Sequence, residues 1–163
     1  VGCGRIGKQV AQFALALGMA VRAHDVLPDH TFSPPGDFAF APLENVLAEA
    51  DFLSLHCPSP EDNVPLIGAS ALAHMKKGAY LINTARAGLV DDPAVLDALE
   101  AGHLAGVALD VFDPEPSRDS ALVQHERVIA TPHIGGYTEE SVSRAVTAAV
   151  DSLLSYLGQT DGD

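Results

Sequence analysis

The chain has 163 residues, 47% of them hydrophobic and 19% charged, which fits one globular domain with a real core and excludes a disordered polymer. Nine Lys and Arg against 22 Asp and Glu give a formal charge of −13, which argues against nucleic acid or an anionic membrane as partner, since both need clustered positive charge. Cys3 and Cys57 offer neither a disulfide framework nor a CxxC pair, and no apolar run approaches the ~18 residues of a membrane span.

The chain opens on "VGCGRIG", with almost no strand before the glycines, and reads as cut from a longer protein. Ile6, Val10, Phe13, Ala14 and Leu17 lie on one helical face, and Gly18 is a natural stop. "AVRAHD" (20–25) reads as a short strand and 38–40 as another, separated by the loop "LPDHTFSPPG" (27–36). A helical stretch over 43–50 leads to the strand "FLSL" (52–55). Pro58, Pro60 and Pro65 make the next stretch a loop, and 69–75 is a short helix with Ser70 near its start. The strand 80–83 precedes a helix over 93–101, where Pro93 suits the first turn. "GVALDVF" (106–112) and "RVIAT" (127–131) are further strands. Val142, Val146, Val150, Leu153 and Leu157 mark a long closing amphipathic helix, with Gly158 just past it.

Strands alternating with helices predict an α/β fold: a Rossmann-like, doubly wound, largely parallel sheet whose first strand is reduced to Val1. Ligands in such sheets bind outside the carboxyl ends of the strands. Gly2, Gly4 and Gly7 form GxGxxG and run straight into the first helix, with Arg5 and Ile6 between them. The glycines permit a tight turn and close approach of a pyrophosphate, and the helix start offers it free N–H groups. Asp25, at the end of the next strand, can accept hydrogen bonds from ribose hydroxyls and would repel a 2′-phosphate. NAD is therefore the expected cofactor, in preference to NADP. Arg86 follows strand 80–83, Glu115 follows 106–112, and His133 follows 127–131 between Pro132 and a Gly pair. A fixed cation, a carboxylate and an imidazole at strand ends can together bind a carboxylate beside a carbonyl and move one proton. No HExxH or HxH metal pattern and no GxSxG elbow occurs, so neither a metal site nor a serine hydrolase is expected.

"VGCGRIG", "ADFLSLHCP", "MKKGAYLINTARAGLVDD", "AGVALDVFDPEP" and "TPHIGGYTEESV" resemble, in order, the motifs of the D-isomer-specific 2-hydroxyacid dehydrogenases. The branch implied is phosphoglycerate dehydrogenase-like or glyoxylate/hydroxypyruvate reductase-like. The resemblance implies that residues 1–163 are the NAD-binding domain, the family's substrate domain lying elsewhere. It makes Arg86 the holder of the substrate carboxylate, His133 the general acid/base and Glu115 the carboxylate that orients it. Around the cofactor it places Gly2, Gly4, Arg5, Ile6 and Gly7, then Asp25, Pro58, Thr84, Ala85 and Arg86 itself, with Asp110 at the nicotinamide carboxamide. It further implies a small 2-hydroxy or 2-oxo acid as substrate, a homodimer in the full-length protein and a cytoplasmic location. Ala87 departs from the family, which usually has Gly after the arginine; a methyl there would shift the backbone if that residue needed positive φ. Two other readings remain open: a dinucleotide-sensing corepressor-like module of the same fold, and a fragment inert by itself.

Overall fold

The computed structural model describes residues 1–60, 62–115 and 120–160. It divides into two compact units, Val1–Pro132 and the segment from His133 onward. Residues 116–119, which close "DVFDPEP" and open "SRDSALVQ", lie outside the described residues. The first unit runs α1 (Arg5–Ala16), β1 (Val21–Ala23), β2 (Phe38–Phe40), α2 (Leu43–Glu49), β3 (Phe52–Leu55), α3 (Ala69–His74) and β4 (Ala79–Asn83). It continues with α4 (Asp92–Glu100), β5 (Leu104–Leu109), α5 (Ala121–Gln124) and β6 (Val128–Ala130). The second unit is built on α6 (Glu139–Thr160).

Every strand pairing is parallel: β1 pairs with β2 in a two-stranded ribbon, and β3-β4-β5-β6 form a four-stranded sheet in that order. Parallel strands are buried on both faces. Accordingly β3, β4 and β5 hide Leu53, Leu55, Leu81, Leu104 and Leu109, each no more than 4% exposed. Val46 and Leu47 of α2, Leu72 of α3, and Val95 and Leu99 of α4 close the same core. Each such side chain contributes about 1.5–3 kcal/mol on burial. That packing, not propensity, sustains α3, whose 6 residues are far too few for an independent helix. α4 has local support as well: the Asp91 side chain accepts the Ala94 N–H at 3.2 Å, and Pro93 sits in the first turn.

Residues Val1 and Gly2 stitch the ribbon to the sheet. The Val1 nitrogen donates to Ser54 O at 2.7 Å, the His56 N–H donates to Val1 O at 2.7 Å, and the Gly2 N–H donates to His24 O at 2.8 Å. Both sheets therefore point their carboxyl ends the same way.

Several sequence-based boundaries change in the fold. α1 rests on Gly7 and Ala11, which are buried, while Ile6, Phe13 and Leu17 of the apolar face are 67%, 69% and 81% exposed. Small side chains let the helix backbone come close, so they, not the bulky stripe, face the unit's interior. Strand 106–112 becomes Leu104–Leu109: Asp110 still donates its N–H to Asn83 O at 3.0 Å, but β4 ends at Asn83 and nothing remains for later residues to pair with there. Gly158 does not stop the closing helix, which continues through it. Gly18 does end α1, with φ +81° and its N–H donated to Leu15 O. The short α5 and a 3₁₀ turn at Ala87–Leu89 carry too few residues for a periodic signal.

Candidate functional site

The glycine turn is shaped for close approach. Gly2 has φ +85°, and a Cβ there would lie 2.6 Å from the Cys57 nitrogen and from the His56 carbonyl carbon. A Cβ on Gly7 would overlap the Gly2 carbonyl oxygen. Gly4 is exposed, with open space around a notional Cβ, and it precedes α1 without any side-chain cap. No acidic residue occupies the first turn of α1. The helix start thus presents uncapped N–H groups and the positive end of its dipole to whatever lies beside the turn. Arg5 and Ile6 are exposed in that first turn. The Gly2→Ala substitution is expected to cost about 1–3 kcal/mol from the positive φ alone, with the backbone overlap added. A denaturation midpoint equal to the parent's would show that the turn tolerates a side chain.

Asp25 lies directly against this turn. Its Oδ2 accepts the Cys3 N–H at 2.7 Å and its Oδ1 accepts the Leu27 N–H at 2.9 Å. Two backbone donors fix the carboxylate at the end of β1, and each oxygen keeps acceptor capacity for a hydroxyl. On the other side of the turn, the loop after β3 carries His56, Cys57 and the exposed Pro58. His56 Nε2 lies 2.9 Å from Ser54 Oγ. Burial depresses the His56 pKa below the ordinary imidazole value. A base depressed on folding leaves stability fully present above the unfolded value, about 6.5, and removes it as pH falls from there. Unfolding free energy should therefore decline on acidification through pH 6, and His56→Gln should flatten that limb; parallel curves for the two proteins would exonerate His56.

At the ends of β4, β5 and β6 a second network forms, in which Asn83 and Thr131, which sequence reasoning passed over, join Asp110, which it named. Asn83 is only 1% exposed. Its Nδ2 donates to Arg86 O at 2.9 Å and its Oδ1 accepts the Ala85 N–H at 3.1 Å, bending the chain through Thr84–Arg86. Thr131 Oγ1 donates to Asp110 Oδ1 at 2.6 Å, and the Thr131 N–H donates to Leu109 O at 2.9 Å. Three adjacent strand ends are thereby laced together around Asp110, which is 4% exposed. A polar residue closing an otherwise apolar strand ("AYLIN", "VIAT") was the available signal. The Asn83→Ala substitution leaves the two backbone groups without these partners and is expected to lower stability by about 1–3 kcal/mol. An unchanged urea midpoint would remove Asn83 from this role.

Thr84 and Arg86 are exposed and Ala85 is half-buried. The Arg86 Nη1 donates to Ala85 O at 2.6 Å. Among the described residues Arg86 forms no ion pair, with Asp91 and Asp92 or any other acid. Ala87 has no positive φ, so its methyl introduces no backbone strain after the arginine. Glu115, exposed on the loop after β5, accepts the Phe112 N–H on Oε1 at 3.1 Å. Arg86 and Glu115 thus leave neighbouring strands at one edge of the sheet. His133 opens the second unit, exposed and with φ +55°, a left-handed backbone that few non-glycine residues adopt. Among the described residues no group of His, Cys, Asp and Glu is arranged to hold a metal ion, and no helix is long and apolar enough to cross a membrane.

Comparison with known proteins gives one answer. Residues 1–135 match the family described as D-isomer specific 2-hydroxyacid dehydrogenase, NAD binding domain. D-3-phosphoglycerate dehydrogenase of Bacillus subtilis (strain 168) is 40% identical across 96% of this chain and 30% of its own length. (S)-sulfolactate dehydrogenase of Chromohalobacter salexigens is 44% identical across 97% of this chain and 52% of its own. The crystal structure of D-lactate dehydrogenase from Aquifex aeolicus, complexed with NAD and lactic acid, superposes with a TM-score of 0.88 at 33% identity, covering 97% of this chain and 52% of that one. The chain spans about a third to a half of the length of these relatives.

Proposed function

The chain belongs to the D-isomer-specific 2-hydroxyacid dehydrogenase family, whose NAD-binding domain it matches over residues 1–135, and from that premise we propose that it serves hydride transfer between NAD and a small D-2-hydroxy acid or its 2-oxo acid. The residues present fit the cofactor: the glycine cradle and uncapped start of α1 suit its pyrophosphate, and Asp25 suits its adenosine ribose. Pro58 borders the adenosine side, Thr84 and Ala85 line the cofactor beside Arg86, and Asp110 faces the carboxamide end. Bound NADH supplies the hydride.

The observation that carries the reading is Arg86, an exposed guanidinium with no acidic partner among the described residues, its backbone carbonyl held by Asn83 at the end of β4. A guanidinium grips a carboxylate through two parallel hydrogen bonds. Arg86 holds the acid end of the substrate, His133 gives a proton to the developing alkoxide and recovers it in the reverse direction, and Glu115 orients the imidazole. The Glu115→Gln substitution retains size and loses charge, so it separates orientation by shape from orientation by charge.

Further features support the finer parts of this reading. The exposed apolar face of α1, with Ile6, Phe13 and Leu17, agrees with a homodimer of the complete protein. The free thiols of Cys3 and Cys57 agree with a cytoplasmic location. The test is a chimera in which this chain replaces the matching half of a 2-hydroxyacid dehydrogenase, assayed for NADH oxidation with hydroxypyruvate, glyoxylate and 3-phosphohydroxypyruvate. Turnover of at least one is expected. A folded chimera that binds NADH and reduces none would sink the catalytic reading and leave only dinucleotide binding.

A further inference from the structure

A charged pair ties the loop between β1 and β2 to α1. The Lys8 ammonium donates to Asp29 Oδ2 at 2.5 Å and lies 5.3 Å from the centroid of the Phe32 ring. Asp29 Oδ1 accepts the Thr31 N–H at 3.0 Å and the Thr31 hydroxyl at 2.6 Å. Edge-on ring contacts, Phe32 with Phe38 and Phe38 with Phe40, fasten the same loop to β2. The bond from Lys8, and after it those from Thr31, hold the Asp29 carboxyl well below the ordinary carboxylate range, so the pair stays charged near neutral pH. This pair stands beside the carboxylate that suits the ribose. Asp25 is bonded to the Cys3 N–H on one side and to the Leu27 N–H on the other, and Asp29 lies two residues beyond Leu27. On α1, the Lys8 N–H donates to Gly4 O, which puts the two residues about 6 Å apart along the axis and on one face. Asp25, Lys8 and Asp29 all act electrostatically on the Cys3 thiol, which sets the three charges around one corner of the glycine turn. Long side chains on a helix lean toward its N-terminus, so a Lys8 released from Asp29 reaches back toward Gly4 and Asp25.

We propose that Asp29 is a positioning residue for cofactor choice: by holding Lys8 it denies a 2′-phosphate the cation that would let it bind. The inference rests on NAD as the cofactor and adds a second determinant to Asp25. A ribose corner of this kind takes a 2′-phosphate where a cation stands ready to meet it. With Asp29 in place, the corner holds Asp25 and a neutralised Lys8, and nothing offsets the repulsion between Asp25 and the phosphate. With residue 29 uncharged, Lys8 is free to donate charge-assisted hydrogen bonds to phosphate oxygens. NADH carries only a hydroxyl at that position, which Asp25 can bond directly, so its binding is nearly indifferent to residue 29. Thr31 and Phe32 complete the device, since one fixes the carboxylate and the other receives the ammonium on its ring face.

The experiment titrates the chain, and the chimera beside it, with NADH and with NADPH, followed by nicotinamide fluorescence. Asp29→Asn keeps an oxygen for the Thr31 N–H and loses the charge. It is expected to tighten NADPH at least ~10-fold while NADH moves less than ~3-fold, in line with one new charged hydrogen bond. Lys8→Gln by itself should not improve NADPH. Combined with Asp29→Asn it should abolish the gain, the non-additivity that marks a coupled pair. Added salt should erode the gain as well. Should the Asn variant fail to fold, Asp29→Ser, whose hydroxyl also accepts from Thr31, carries the same expectation. No tightening of NADPH overturns the assignment, as does a gain that survives the loss of Lys8 or an equal change for both cofactors. Failure of both variants to fold makes Asp29 a residue of the fold and overturns it too. A parent that binds NADH in neither form removes the cofactor site and this inference with it; a parent that binds NADH, with variants that discriminate as it does, removes the inference alone.

Discussion

Replacing His133 with Asn in the chimera is expected to lower kcat for 2-oxo acid reduction by about 10²–10⁴-fold, the range for losing a positioned acid/base, while NADH affinity stays within about twofold. Asn is the informative choice because of the backbone. His133 has φ +55°, and Asn is among the few non-glycine residues that take the left-handed region readily. The substitution therefore removes proton transfer without demanding a new chain path. A β-branched residue would confound the two effects. The measurement is kcat and KM for the 2-oxo acid, with NADH binding followed by fluorescence. A kcat within threefold of the parent would take His133 out of the chemistry, whatever the family resemblance implies.

The second large effect belongs to Arg86. Arg86→Ala is expected to raise KM for the 2-oxo acid by about 10–10³-fold, since hydrogen bonds to a charged partner are worth about 1.5–3 kcal/mol each. Arg86→Lys should recover only part of this, because an ammonium restores charge but not the two-pronged geometry. Folding should survive both changes: the Arg86 backbone carbonyl, not its side chain, is what Asn83 holds, and among the described residues the guanidinium's hydrogen bond goes to the neighbouring Ala85 carbonyl. Reading KM and kcat separately distinguishes lost binding from lost chemistry. An unchanged KM for the acid, with a slow chemical step verified by single turnover, would show that the carboxylate docks elsewhere.

Arg86 and Asn83 illustrate how unevenly the site could be read from the chain. A guanidinium after an apolar strand stands out because it stays charged at any working pH, so the sequence raises the question of an anion by itself. Asn83 draws no such notice. It ends the strand as an ordinary polar residue, and only the fold reveals that its amide bonds both Ala85 and Arg86 while being sealed from solvent. Thr131 repeats the lesson, since its bond to Asp110 spans two strands whose adjacency is a property of sheet order. α1 teaches it in reverse. Its helical period was legible, but which stripe would meet the sheet depended on backbone approach, and the small residues Gly7 and Ala11 won over Ile6 and Phe13.

Local chemistry, then, is what the amino-acid order determined: alternating strand and helix periods, the glycine turn with its carboxylate at the next strand end, and the cation, acid and imidazole after later strands. These depend on residue type and short spacing, which the chain states outright. The tertiary structure alone decided the strand order, the laced carboxyl edge and the left-handed backbone at His133. Each of those arises from groups distant in sequence satisfying one another's hydrogen bonds or excluding one another's volume, and such pairings exist only once the chain has closed on itself.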